Sequence, residues 1–138
     1  MKRPCGKPAE AAARRLSSVR RDVRGQLERW GLGELADDAA LVVSELLGNA
    51  LRHGLPPISV SLTLQGSERG QTVRIGVTDA GTAFNVELVR SKWRHPSGRL
   101  STRGRGLWLV DAVACAWGDL PGGFGHTVWA ELPCSTCS

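Results

Sequence analysis

Residues 41–54, LVVSELLGNALRHG, constrain this chain more than any other stretch, because they set Glu45, Asn49 and His53 at intervals of four in a strongly apolar run. Residues at that spacing stack on one face of a helix. Polar groups on one side of an otherwise apolar helix must pair with each other, reach water or line a pocket, since an unpartnered buried carboxylate is too costly. A pocket accounts for all three positions. Two later segments sharpen it: VTDAG, which ends a strand at Asp79 and Gly81, and RGRGLWLV, where Gly104 and Gly106 are expected to open a second helix.

With 138 residues the chain is expected to be one domain built round one core. The divisions expected are a disordered basic segment over 1–8, a single domain over 9–133 and a tail over 134–138. No run approaches the roughly 20 apolar residues of a spanning helix, and no apolar run follows the first basic residues, so a cytoplasmic location is expected. Of the cysteines, only Cys134 and Cys137 have a metal-like or redox-like spacing. With no two further ligands near them, they are expected to belong to a frayed tail.

Charge is unevenly placed. Residues 1–30 hold nine of the 18 Lys/Arg and only three of the 13 Asp/Glu, and Arg90, Lys92, Arg94, Arg99, Arg103 and Arg105 crowd a second zone without an acid. That second zone leads into Gly104 and Gly106, where a polyanion would be well served.

Along the chain, Leu16, Val19, Val23, Leu27 and Trp30 recur with Ala13 at helical spacing over residues 9–30, and residues 31–33 end that helix. Asp37 and Asp38 suit the first turn of the next helix, which Pro56 and Pro57 stop. Residues 58–64 alternate as a half-buried strand, 66–70 form a turn, and 72–78 return with Val73, Ile75 and Val77 facing inward. Residues 87–103 read as a loop able to act as a lid, 106–116 as a buried helix, 118–125 as a turn-rich connector and 126–132 as a last strand. This order implies a two-layer α/β sandwich with a mainly antiparallel sheet.

The series of motifs, SELLGNALRHG, VTDAG, GRGLWLV and GHTVWAEL, resembles the GHKL ATPase and kinase superfamily with its Bergerat nucleotide-binding fold, and within it the bacterial serine/threonine kinases that act as anti-sigma factors. The resemblance implies ATP and Mg2+ as ligands. It makes Asn49 the magnesium ligand and Glu45 the catalytic general base toward water or a protein hydroxyl. Asp79 corresponds to the carboxylate that accepts the adenine amino group, Gly81 to the glycine that lets the base approach, and Thr127 to a threonine supporting that contact through water. Gly104, Gly106 and Leu107 would form the phosphate end, with Arg103 and Arg105 reaching the polyphosphate. Ala83 stands where the superfamily has a second glycine, and Trp108 where many relatives have a small residue.

Several of these residues have plainer readings. Asp-x-Gly is a common turn, Thr127 suits a strand, His53 before Gly54 is a cap or packing group, and Trp108, Trp117 and Trp129 are expected to pack. The function expected is phosphorylation of a serine or threonine on an antagonist protein, coupled to control of a sigma factor by partner switching, with a homodimer as one arrangement and no nucleic acid or membrane contact. A nucleotide sensor without catalysis, and a basic nucleic-acid binder using the arginines of residues 14–29, are the alternatives.

Overall fold

The computed structural model describes residues 8–67, 70–81, 102–123 and 125–134. Helix α1 spans Pro8–Arg29, a 3-10 turn spans Gly33–Leu35, and helix α2 spans Ala36–His53. Strands β1 (Ser59–Ser67) and β2 (Gly70–Asp79) follow, then helix α3 (Thr102–Val113) and strands β3 (Ala116–Pro121) and β4 (His126–Pro133). The four strands form one antiparallel sheet in the order β1-β2-β4-β3. The architecture is the two-layer α/β sandwich expected.

The core lies between helices and sheet. Along β2, Val73, Ile75 and Val77 are buried, and their cross-strand partners on β4 are Leu132, Ala130 and Val128, buried on the same face. Leu27 of α1, Val42, Val43, Leu46 and Leu47 of α2, and Leu107 and Val110 of α3 complete the core. Each fully buried side chain of this size contributes about 1.5–3 kcal/mol relative to exposure. On α1 the buried stripe starts at Leu16; Ala13 is exposed.

Several boundaries differ from expectation. The first hairpin is tighter, because pairing continues to Ser67 opposite Gly70 and includes Gly66. Helix α3 starts at Thr102, so Gly104 and Gly106 lie inside the helix rather than before it, and it ends at Val113. The connector expected over 118–125 is largely strand β3, which pairs with β4 from Ala116 opposite Glu131 to Pro121 opposite His126. Glycine, aspartate and proline suggest a turn there, but each is accommodated: Gly118 lies beneath the Trp129 indole, Asp119 faces His126, and Pro121 ends an edge strand. Cys134, assigned to a tail, is only 2% exposed and extends the sheet by donating its N–H to Gln71 O. The expected basic segment before residue 8, the lid up to residue 101 and Cys137 lie outside the described residues.

The arginines of α1 are partly engaged within the domain. Arg15 donates to Ile58 O, Arg20 to Ser44 Oγ and Arg24 to Asp37 Oδ1. These contacts tie α1 to α2 and to the start of β1. Among the described residues no helix is long and apolar enough to cross a membrane.

Candidate functional site

Helix α2 brings the site together because it runs between α3 and the end of β2. Gly106 of α3 is buried against Glu45: a Cβ built on Gly106 would stand 2.8 Å from Glu45 Oε1. One turn on, Asn49 is 5% exposed, and its Oδ1 has no hydrogen-bond partner among the described residues. At the far end of α2, a Cβ on Gly54 would stand 2.6 Å from Asp79 Cγ. The nine steps from Glu45 to Gly54 cover about 13 Å of helix axis. A carboxylate, a buried amide oxygen and a second carboxylate are thus spaced along one rod.

Asp79 is 4% exposed at the end of β2. Its Oδ1 accepts the Gly81 N–H at 2.6 Å and the Leu55 N–H at 3.3 Å, while Ala80 N–H donates to Leu55 O at 2.7 Å. The end of α2 and the end of β2 are therefore laced together around this carboxylate. Glycines allow the crowding: a Cβ on Gly81 would meet Asp79 Oδ1 at 2.8 Å, and one on Gly125 would meet the Asp79 carbonyl oxygen at 2.0 Å.

The second oxygen of Asp79 has a partner that the motif reading missed. His126 Nε2 lies 3.0 Å from Asp79 Oδ2, and His126 Nδ1 lies 2.6 Å from Asp119 Oδ1. All three side chains are buried, at 4% for Asp79, 5% for His126 and 0% for Asp119. Register explains this: His126 pairs with Asp79 across the sheet and shares its inward face with Val128, Ala130 and Leu132. The signal available in the sequence was the even spacing of His126 from those apolar residues. Asp119 could not be found the same way, because its strand was read as a turn.

Thr127 is placed differently from expectation. It lies on the opposite face of β4 from Asp79, and its Oγ1 is 2.7 Å from Thr78 Oγ1. Strand alternation forbids Thr127 and His126 from sharing a face, so His126 is the β4 side chain beside Asp79. Leu107 is fully buried in the core, which leaves only its backbone for a ligand. Gly104, with Arg103 and Arg105, belongs to the first turns of α3, where unpaired backbone N–H groups point out of the helix start. The side chains of those arginines lie outside the described residues. His53 is exposed in the last turn of α2.

The tryptophans divide. Trp117 is 7% exposed and donates to Asp111 Oδ1 at 2.6 Å, and Trp129 stacks under the Arg74 guanidinium, 4.2 Å from its ring centre. Trp108, expected to pack, is 51% exposed. A cleft of about 630 Å3 opens at the same end of the sheet, lined by Pro57, Ser59, Thr78, Asp79, His126 and Thr127 among others. Glu45, Asn49 and Gly106 do not line it.

Among the described residues no three His, Cys, Asp or Glu side chains are placed to hold a metal. A cation relying on one amide oxygen, with phosphates and water completing its shell, fits the chemistry of Mg2+, and the buried, unpartnered Oδ1 of Asn49 is suited to that use.

Fold and site together define an ATPase-type α/β domain. The chain belongs to the histidine kinase-like ATPase domain family, whose pattern it matches over residues 9–117. Membership of this family implies ATP as the ligand. Among solved structures it is similar to the histidine kinase domain of the blue-light activated histidine kinase EL346 from Erythrobacter litoralis, with a TM-score of 0.50 and 22% identity. The match covers 91% of this chain but only 62% of that one, and at this identity it concerns the fold. No curated protein matches the sequence.

Proposed function

We propose that this domain is an ATP- and Mg2+-dependent serine/threonine protein kinase of the anti-sigma factor type, working in the cytoplasm on an antagonist protein and regulating a sigma factor by partner switching. The observation that carries the catalytic part is the pairing, one helical turn apart, of a carboxylate against Gly106 and a buried amide oxygen without a partner. A general base and a metal ligand need this relation if both are to serve one phosphate chain.

In this reading Asp79 accepts the adenine amino group, and Gly81 and Gly54 keep side chains off the base. Gly104, in the first turn of α3, lets unpaired backbone N–H groups and the positive end of the helix meet the phosphates, Gly106 leaves room there for the Glu45 carboxylate, and Arg103 and Arg105 add charge. Asn49 holds the magnesium ion, which when bound offsets phosphate charge. Glu45 takes the proton of the attacking hydroxyl as its oxygen bonds to the γ-phosphorus; the bond to the β–γ bridging oxygen breaks, and ADP leaves with that electron pair. Thr127 is on the other face of β4 and bonds Thr78, but it lines the same cleft as Asp79, so its support of the base contact would pass through water.

The sequence resemblance to anti-sigma factor kinases supports the choice of substrate and partners. Glu45→Gln tests the reading. Phosphate transfer to a co-encoded partner should be abolished while calorimetry still detects ATP binding. A wild-type protein that binds ATP and never transfers phosphate would leave only the nucleotide sensor, and one that does not bind ATP would remove the whole scheme.

A further inference from the structure

In the buried polar chain Asp119–His126–Asp79, only Asp79 enters the proposed scheme, and Asp119 and His126 lie beyond the family match, which ends at residue 117. Asp79 has about four acceptor sites on two oxygens. Among the described residues, Oδ1 takes the Leu55 and Gly81 N–H groups, and Oδ2 faces His126. The acceptor site left for a ligand is therefore on Oδ2, the oxygen that His126 touches.

A carboxylate oxygen faces each ring nitrogen, so the ring is held from both sides, and with its proton on Nε2 it donates to Asp79 Oδ2. The 2.6 Å contact to Asp119 is short enough for a charge-assisted bond and anchors the ring, while the 3.0 Å contact to Asp79 has the ordinary length of an N–H···O bond. A donor held at this point takes one lone pair of Oδ2 and leaves the other for a ligand. Asp79 can then accept from a ligand but cannot donate to it.

We infer that His126 is a positioning residue that sets base selectivity: by donating to Asp79 Oδ2 from a ring anchored on Asp119, it holds Asp79 as an acceptor-only carboxylate that admits 6-aminopurines and rejects 6-oxopurines. The inference rests on Asp79 as the base-reading residue of the proposed function. A 6-oxo group is an acceptor, so it would face the remaining lone pair of Oδ2 without a proton between them, and buried unpaired acceptors discriminate strongly.

The test is calorimetric titration of wild type, His126→Leu, His126→Gln and Asp119→Ala with ATP and with inosine triphosphate, in the presence of magnesium. The wild type is expected to favour ATP by on the order of 100-fold or more, and His126→Leu to lower that ratio by about tenfold or more. His126→Gln, which keeps an N–H donor, should stay within about threefold of wild type, and Asp119→Ala should fall part of the way. A merely structural role would lower both affinities alike and leave the ratio unchanged.

A folded His126→Leu protein with the wild-type ratio overturns the inference, as does a loss in His126→Gln as large as in His126→Leu. Should the leucine variant not fold, an unchanged ratio in Asp119→Ala overturns it, and a lowered ratio there beside a retained one in His126→Gln supports it. Wild type that binds ATP without preferring it overturns this inference alone. Wild type that binds neither nucleotide removes the proposed function and this inference with it.

Discussion

Glu45 reaches α3 only because residue 106 has no side chain: a Cβ there would stand 2.8 Å from Glu45 Oε1. The contact is with the far end of a flexible side chain, not with backbone. Gly106→Ala should therefore fold, and replacing a helical glycine should add up to about 1 kcal/mol of stability. The displaced carboxylate should lower phosphate transfer by about tenfold or more. Thermal melting and turnover, measured together, check the opposite signs.

Asn49 gives a second prediction of the same kind. A buried amide oxygen without a partner costs stability, so Asn49→Ala should be nearly neutral, within about 1 kcal/mol in denaturant unfolding. Titration with ATP with and without magnesium should show that the metal's contribution to binding is lost in the variant. A magnesium effect equal to wild type would remove Asn49 as the ligand.

Gly54→Ala should behave in the reverse way. Its Cβ would stand 2.6 Å from Asp79 Cγ and 2.8 Å from Ala50 O, and the backbone oxygen cannot move aside cheaply. A destabilisation of about 1–3 kcal/mol is expected together with weakened nucleotide binding. Chemical denaturation and calorimetry on one preparation test both.

In the core, Leu27→Ala should cost about 2–5 kcal/mol, because this fully buried side chain joins α1 to the core. Trp108→Ala should stay within about 0.5 kcal/mol, since half of that side chain is already exposed. Arg24→Ala should be equally quiet, its ion pair with Asp37 being largely solvated. Urea midpoints separate these classes.

Much of the fold was legible because periodicity reports burial directly. Val73, Ile75 and Val77 on β2, and the apolar stripe from Leu16 to Trp30 on α1, are read from spacing alone. Strand β3 was not legible, because Gly118, Asp119 and Pro121 are residues that usually break strands; each is tolerated through a tertiary partner or an edge position that spacing cannot reveal. The start of α3 was misplaced for a related reason: Gly104 and Gly106 weaken a helix by propensity, yet the helix runs through them, and Gly106 there meets Glu45.

At the site, motif spacing identified Glu45, Asn49, Asp79 and Gly81 as candidates, and the structure brings Glu45 to Gly106 and Asp79 to Gly81 and Gly54. His126 escaped attention in favour of its neighbour Thr127. A one-residue shift along a strand exchanges the two faces of the sheet, and a motif matched by letter carries no information about face.

Helix α2 has a consequence for the size of what this domain accepts. Because an α-helix is stiff, the separation between Glu45, midway along it, and Gly54, just past its C-terminus, about 13 Å of axis, is fixed by pitch rather than by loops. On the proposed reading, with the base at Asp79 and the terminal phosphate at Glu45, the helix is a measuring rod: mono- and diphosphates are expected to bind at the Asp79 end without reaching the acid, which titration with AMP, ADP and ATP on wild type and Glu45→Gln checks.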